Sequence, residues 1–122
     1  MDQGKWKAIG DQLLESVKDR FPSHTEYGST IDHGRYAYLA NIHWKLNTDK
    51  NRPNKTSRII LIVISGEAIE DSDYDKRCNL VQERFKKFIS EKMKYFNAEH
   101  GESYGKVPPV EEWYVDTGTL NF

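Results

Sequence analysis

Apolar residues recur along this chain with two different periods, and one stretch has no polar break at all. From Arg58 to Ser65 the chain reads Ile59, Ile60, Leu61, Ile62, Val63, Ile64. Successive strand residues point to opposite faces. Both faces are apolar here, so the pattern predicts a central strand buried on both sides. Five β-branched residues in six, between Pro53 and Gly66, favour a strand over a short buried helix.

Ahead of this run the period is helical. Trp6, Ile9, Leu13, Val17 and Phe21 recur every three or four residues, and Leu14 widens the stripe. An amphipathic helix is predicted over residues 4–21. Pro22 ends it by disfavouring helical geometry at Phe21. Gly10 weakens it by up to ~1 kcal/mol relative to Ala, so packing must hold it.

Two strands follow. Thr25 to Ile31 is a weak one, Asp32-His33-Gly34 reads as a turn, and Arg35 to Leu46 is a clearer partner. Its even positions are Tyr36, Tyr38, Ala40, Ile42, Trp44 and Leu46. Its odd positions are Arg35, Ala37, Leu39, Asn41, His43 and Lys45. One face is apolar and the other mixed, as in a half-covered antiparallel strand. Residues 47–57 form a polar loop to the central strand.

A helical stripe returns with Tyr74, Cys78, Val81, Phe85, Phe88 and Met93. It predicts a helix from about Asp73 to Asn97, ~36 Å long at 1.5 Å per residue. Pro108-Pro109 closes the next loop. A last strand is predicted over Val110 to Asp116, with Trp113 and Val115 on one face, and Thr117-Gly118 turns the chain into a tail.

The expected fold is therefore a single α+β domain over residues 1–122, in the order α-β-β-β-α-β. A four-stranded, mainly antiparallel sheet is packed by an N-terminal helix and a long second helix. Two arrangements fit. One helix on each face closes the sheet completely. Both helices on one face leave the other bare, for a dimer partner, a ligand or the C-terminal tail to cover.

Composition narrows the function classes without choosing one. With 18 basic and 19 acidic residues the net charge is −1, so the overall field selects no partner. The single cysteine, Cys78, excludes an intramolecular disulfide and a multi-thiolate zinc site, which fits a reducing compartment. No run approaches the ~20 apolar residues of a membrane span. The N-terminal residues have no apolar signal core, and a cytoplasmic protein is expected.

Candidate chemistry is sparse. Asp71, Asp73 and Asp75 alternate like the start of an EF-hand loop, but Lys76 and Gln82 stand where glycine and the bidentate glutamate belong. Helix capping by Ser72 or Asp73 explains the acids more simply. No metal site and no cofactor is therefore assigned. Lys45, Lys50, Arg52, Lys55 and Arg58 make a basic stretch. Its candidates for a weak nucleic-acid contact are Lys50, Arg52 and Lys55.

The order α-β-β-β-α is shared with double-stranded RNA-binding domains, whose second helix starts with lysines; here Ser72, Asp73 and Asp75 stand there instead. The order α-β-β-β-α-β is shared with PD-(D/E)xK nucleases. The nearest approximation to their motif is Asp32 with His43-Trp44-Lys45, which puts histidine in place of an acid. Neither comparison identifies a family.

His24, His33, His43 and His100 show no paired metal spacing. His43, mid-strand on the mixed face, suits acid–base chemistry only under a pocket. Asp32 and His33 share a predicted turn. Cys78 sits on an apolar stripe and is expected in the core.

The remaining candidates are aromatic. Tyr36, Tyr38, Trp44 and Trp113, with His43, are the expected lining of any ligand pocket; core packing is their alternative role. The leading expectation is a non-enzymatic binding or adaptor domain that forms a homodimer or docks a protein partner. The alternative is a small-molecule domain, with or without enzyme activity, taking an apolar or aromatic ligand in an aromatic-lined pocket between helix and sheet. No catalytic residue is assigned.

Overall fold

The computed structural model describes residues 3–44, 58–100 and 110–120, with the side chains of 98–100 left aside. The order α-β-β-β-α-β holds, with two short helices added. Helix α1 (Gln3–Val17) runs into a 3-10 turn, Lys18–Arg20. Strands β1 (Glu26–Asp32), β2 (Ala37–Trp44) and β3 (Arg58–Ser65) follow. Then come α2 (Gly66–Asp71), α3 (Tyr74–His100), β4 (Val110–Val115) and α4 (Thr117–Leu120).

The sheet order is β1-β2-β3-β4. The first two pairs are antiparallel, and β4 lies parallel to β3 after the α3 crossover, so the sheet is mixed. β3 is internal as expected, in register with β2 from Ala37↔Ser65 to Trp44↔Arg58.

Both major helices cover the same face. Tyr38, Ala40, Ile42, Trp44, Ile60, Ile62, Ile64, Trp113 and Val115 share one buried cluster with Leu13 and Val17 of α1 and Phe85, Ile89 and Phe96 of α3. Rings link the layers. Phe21 lies 5.9 Å from Trp44, Trp44 lies 5.6 Å from Phe96, and Phe96 lies 6.3 Å from Trp113. These spacings suit tilted and edge-on aromatic pairs.

Gly10 permits the close approach of α1. A Cβ there would stand 2.3 Å from the Tyr38 ring. The same residues anchor a polar contact at the margin. Asp11 Oδ1 accepts from Tyr38 Oη and from Ser29 Oγ, both at 2.8 Å, while Oδ2 takes the Lys7 ammonium at 2.8 Å. Burial pushes the Asp11 carboxyl up, but hydrogen bonds from Lys7, Tyr38 and Ser29 outweigh it and hold the group below its ordinary range. Burial, followed by the bond to Asp11, pushes the Tyr38 phenol far above its usual value.

Four local expectations are corrected. The β1–β2 connection is residues 33–36, because Asp32 Oδ1 accepts from the Gly34 and Arg35 N–H groups at 3.0 and 3.2 Å. Arg35 and Tyr36 therefore belong to the turn, and β2 begins only at Ala37. Glu67, Glu70 and Asp71 fall in α2, capped by Ser65 Oγ, which accepts from Ala68 N at 3.0 Å.

The expected cap of the long helix also changes. Ser72 is buried and its hydroxyl donates back to the Ile69 carbonyl at 2.6 Å; Asp73 contributes its backbone carbonyl to Lys76 and Arg77 N–H. α3 departs from helical geometry at Arg77 (φ −124°, ψ 23°). Finally, the tail is not a simple turn. Asp116 Oδ1 accepts from the Thr119 N–H at 2.9 Å, starting α4 and burying Leu120.

Candidate functional site

Strand parity sorts every predicted aromatic. Tyr38, Trp44 and Trp113 point to the helix side and are 0%, 3% and 2% exposed. They are core residues, because α1 and α3 press on that face together. His43 has the opposite parity and emerges on the other face, where it meets Glu26 at 3.4 Å. Tyr36 sits in the turn and is 67% exposed. The five candidates thus divide among core, open face and turn, and do not line one cavity.

Asp32 is held by the turn N–H groups and by Arg35 Nε at 3.5 Å, and His33 is exposed beside it. Cys78 is half-buried against the core. Arg58 is buried on the helix side, 1% exposed, and so drops out of the basic surface. Lys50, Arg52 and Lys55 lie outside the described residues. Asp75 meets Lys5 at 2.5 Å, and no group of three or more His, Cys, Asp or Glu among the described residues could hold a metal ion.

Two surfaces among the described residues present apolar or aromatic side chains to the outside. The first is the sheet face opposite the helices. Register arranges it in rows: Glu26, His43, Ile59, Val110; then Gly28, Asn41, Leu61, Glu112; then Thr30, Leu39, Val63, Tyr114. The β3–β4 half is apolar apart from Glu112, and the β1 half is polar. Ile59, Leu61 and Leu39 are half-buried, Val63 is 7% exposed, and none of the four joins the helix-side cluster. Val110 and Tyr114 are 58% and 60% exposed at the outer strand. The Tyr114 hydroxyl donates to Glu112, which raises the phenol's pKa and ties one acid to the rim.

The second surface is a cleft of about 740 Å³ at the corner where α1, the 33–36 turn and α2 meet. Gln3, Trp6, Arg35, Tyr36, Glu67 and Glu70 line it. Trp6 Nε1 donates to Glu70 Oε1 at 3.2 Å, and the Trp6 and Tyr36 rings stand edge-on, 6.3 Å apart. Gly66 lies against Trp6 so closely that a Cβ would come within 2.5 Å of the indole. The Gly66 N–H donates to the Tyr36 carbonyl at 2.7 Å.

Of these residues only Tyr36 was a sequence candidate. Trp6 reads as one member of a helical stripe, and Glu67 and Glu70 as helix-start acids. No local spacing joins positions 6, 36, 67 and 70; the sheet and the α2 turn do.

Comparison of the chain with protein-family models, with curated proteins and with solved structures finds no match. Among the described residues, no helix is long and apolar enough to cross a membrane.

Proposed function

We propose that this chain is a non-enzymatic binding domain whose open sheet face is closed by protein, in the first instance a second copy of itself. The observation that carries this reading is the one-sided packing of α1 and α3. It leaves Leu39, Ile59, Leu61, Val110 and Tyr114 on a continuous surface with no described helix over them. Apolar surface gathered on one side of a sheet is the usual substrate of association. The lone Cys78 supports a reducing, cytoplasmic setting.

Solution mass by light scattering, over a wide concentration range, tests the reading on the wild-type chain and on Leu61→Lys. The expected result is a concentration-dependent dimer that Leu61→Lys converts to a folded monomer. A wild-type monomer that captures one protein, and releases it on the same substitution, would assign the face to another partner. A monomer whose solubility and apolar-dye binding are unaffected by Leu61→Lys would show that the face needs no cover, and the reading would fail.

A second reading, small-molecule binding, is favoured by the corner cleft, which has the size of a ligand site and an exposed aromatic at its mouth.

A further inference from the structure

We infer that the outer edge of β1 is a strand-addition site for an extended segment of another protein, one that carries a lysine or arginine beside Glu26. This goes beyond the sheet-face reading: it uses the backbone edge of the sheet and none of Leu39, Ile59, Leu61, Val110 or Tyr114.

β1 is seven residues long, Glu-Tyr-Gly-Ser-Thr-Ile-Asp, and β2 is its one strand neighbour among the described residues. Its register with β2 runs unbroken from Glu26↔His43 to Asp32↔Ala37, so no bulge bends the strand. Beyond that ladder, the described backbone–backbone bonds use no residue of β1. Every second residue therefore turns an N–H and a C=O outward. Sheet edges are ordinarily blunted by lysine, proline, a bulge or a covering element. β1 has no lysine or proline, and its five central residues are uncharged. β4, the opposite edge, carries Glu111 and Glu112 among six residues. Outward backbone groups on an unbroken, uncharged strand are what an extended peptide recognises.

The edge also has a place for a side chain. A hollow of about 310 Å³ lies between α1 and β1, with Asp11, Leu14 and Glu15 on one wall and Tyr27, Gly28 and Ser29 on the other. Side chains of an added strand alternate between the two faces of the sheet, and those on the helix side stand beside this hollow. On the other face, a Cβ at Gly28 would meet nothing within 4 Å, which leaves room for the side chain set opposite it.

Charge selects the partner. Along this edge Lys7 holds Asp11 at 2.8 Å, Lys18 holds Glu15 at 2.9 Å and Arg35 lies 3.5 Å from Asp32. Glu26 has His43, 3.4 Å away and a cation only when protonated, and its side chain is 76% exposed. It is the acid left for an incoming cation. A second copy does not supply one. The two-fold pairing that uses all seven residues centres on Ser29 and sets Asp32 of the copy opposite Glu26. Like charges directly opposed destabilise a strand pair. A lysine or arginine at that place is favourable, and the rest of the segment is uncharged like the strand it joins.

The test selects dodecapeptides from a random phage-displayed library on the immobilised full chain and measures their binding by ¹H–¹⁵N titration. The expected result is a saturable shift centred on the amides of residues 26–32, from peptides sharing a lysine or arginine. N-methylation of alternate peptide residues should abolish binding in one parity and spare it in the other, because only every second N–H of an added strand faces β1. Docking by side chains alone would show no such alternation. Glu26→Lys, at an exposed position, should keep the fold and weaken these peptides about fivefold. Leu61→Lys should leave their binding unchanged, which separates the edge from the open sheet face.

Enrichment of no peptide, shifts off β1 with every enriched peptide, equal loss in both N-methylated series, or undiminished binding by Glu26→Lys would each overturn the inference. So would equally tight binding of the peptide Thr25–His33 of this chain, which would assign the edge to a second copy.

Discussion

The two faces of β3 carry nearly the same side chains and experience different environments. Ile60, Ile62 and Ile64 are 0%, 0% and 1% exposed beneath α1 and α3. Ile59 and Leu61, their immediate neighbours in the chain, are half-buried, and Val63 on the same face is 7% exposed among other strands. The difference does not come from hydrophobicity. It comes from where the helices go, and each helix has one apolar stripe to spend. The helix side is closed by rings from three directions, whereas among the described residues the buried cluster takes in none of the open side. Stability should therefore be concentrated on one face, with the other free to serve recognition.

The sharpest way to break this contrast is a pair of truncations in one strand. Ile62→Ala should cost about 2–5 kcal/mol, the range for a fully buried large-to-small change. Leu61→Ala, one residue away, should cost about 1 kcal/mol or less in the dilute monomer, because little cavity can form at an open surface. Urea unfolding of both variants measures the gap. Equal losses would show that the open face is covered within the monomer.

Added methyl groups probe the same asymmetry from the opposite direction. Gly10→Ala drives a Cβ into the Tyr38 ring. Overpacking of about 1–3 kcal/mol should exceed the gain in helix propensity of about 1 kcal/mol. Gly28→Ala, on the open face with nothing within 4 Å, should be neutral or stabilising by a few tenths of a kcal/mol. Melting temperatures should thus move down for the first and not for the second.

A smaller effect lies at the polar margin of the covered face. Tyr38→Phe removes a buried hydroxyl bonded to Asp11 and should cost about 1–2 kcal/mol. The Asp11 carboxyl is held below the ordinary value near 3.8. Its folded form binds a proton less readily than its unfolded form, so its contribution is complete above that value. The contribution is lost as pH falls through the depressed folded pKa. Asp11→Asn should accordingly flatten the acid limb of the stability–pH curve while leaving the neutral-to-alkaline part parallel to wild type. An unchanged acid limb would place the titration elsewhere.

The smallest expected change is at the corner. Tyr36→Gly relieves a left-handed backbone but loses an edge-on ring contact of about 0.5–1.5 kcal/mol with Trp6. The two effects nearly cancel, so stability should stay within about 0.5 kcal/mol of wild type in thermal unfolding. A loss above about 2 kcal/mol would make Tyr36 a structural residue and tie the corner to the covered face.

The elements were readable along the chain because their causes are local. The Trp6–Phe21 stripe, the unbroken run at 59–64 and the Tyr74–Met93 stripe each carry their period within a few turns or residues. The turn at 33–36 was less legible. Alternation continues smoothly through Tyr36 and Tyr38, and only the Asp32 side chain, by closing the turn, takes Tyr36 out of the strand. α2 was hidden for a related reason: six residues are too few to show a helical period, and its start depends on the Ser65 cap.

Local pattern alone fixes the order of the major elements, the central place of β3 and the apolar stripe of each of the two long helices. Periodicity states how many faces are apolar, and that property belongs to each segment alone. Packing between distant segments sets the rest: both long helices share a face, Tyr38, Trp44 and Trp113 are core, and β4 runs parallel to β3. It alone joined Trp6, Tyr36, Glu67 and Glu70 at one corner. With both faces of β3 apolar, either arrangement of the helices satisfies the local pattern. The choice rests on contacts between segments far apart in the chain, such as Gly10 against Tyr38 and Phe96 between Trp44 and Trp113, which no period encodes.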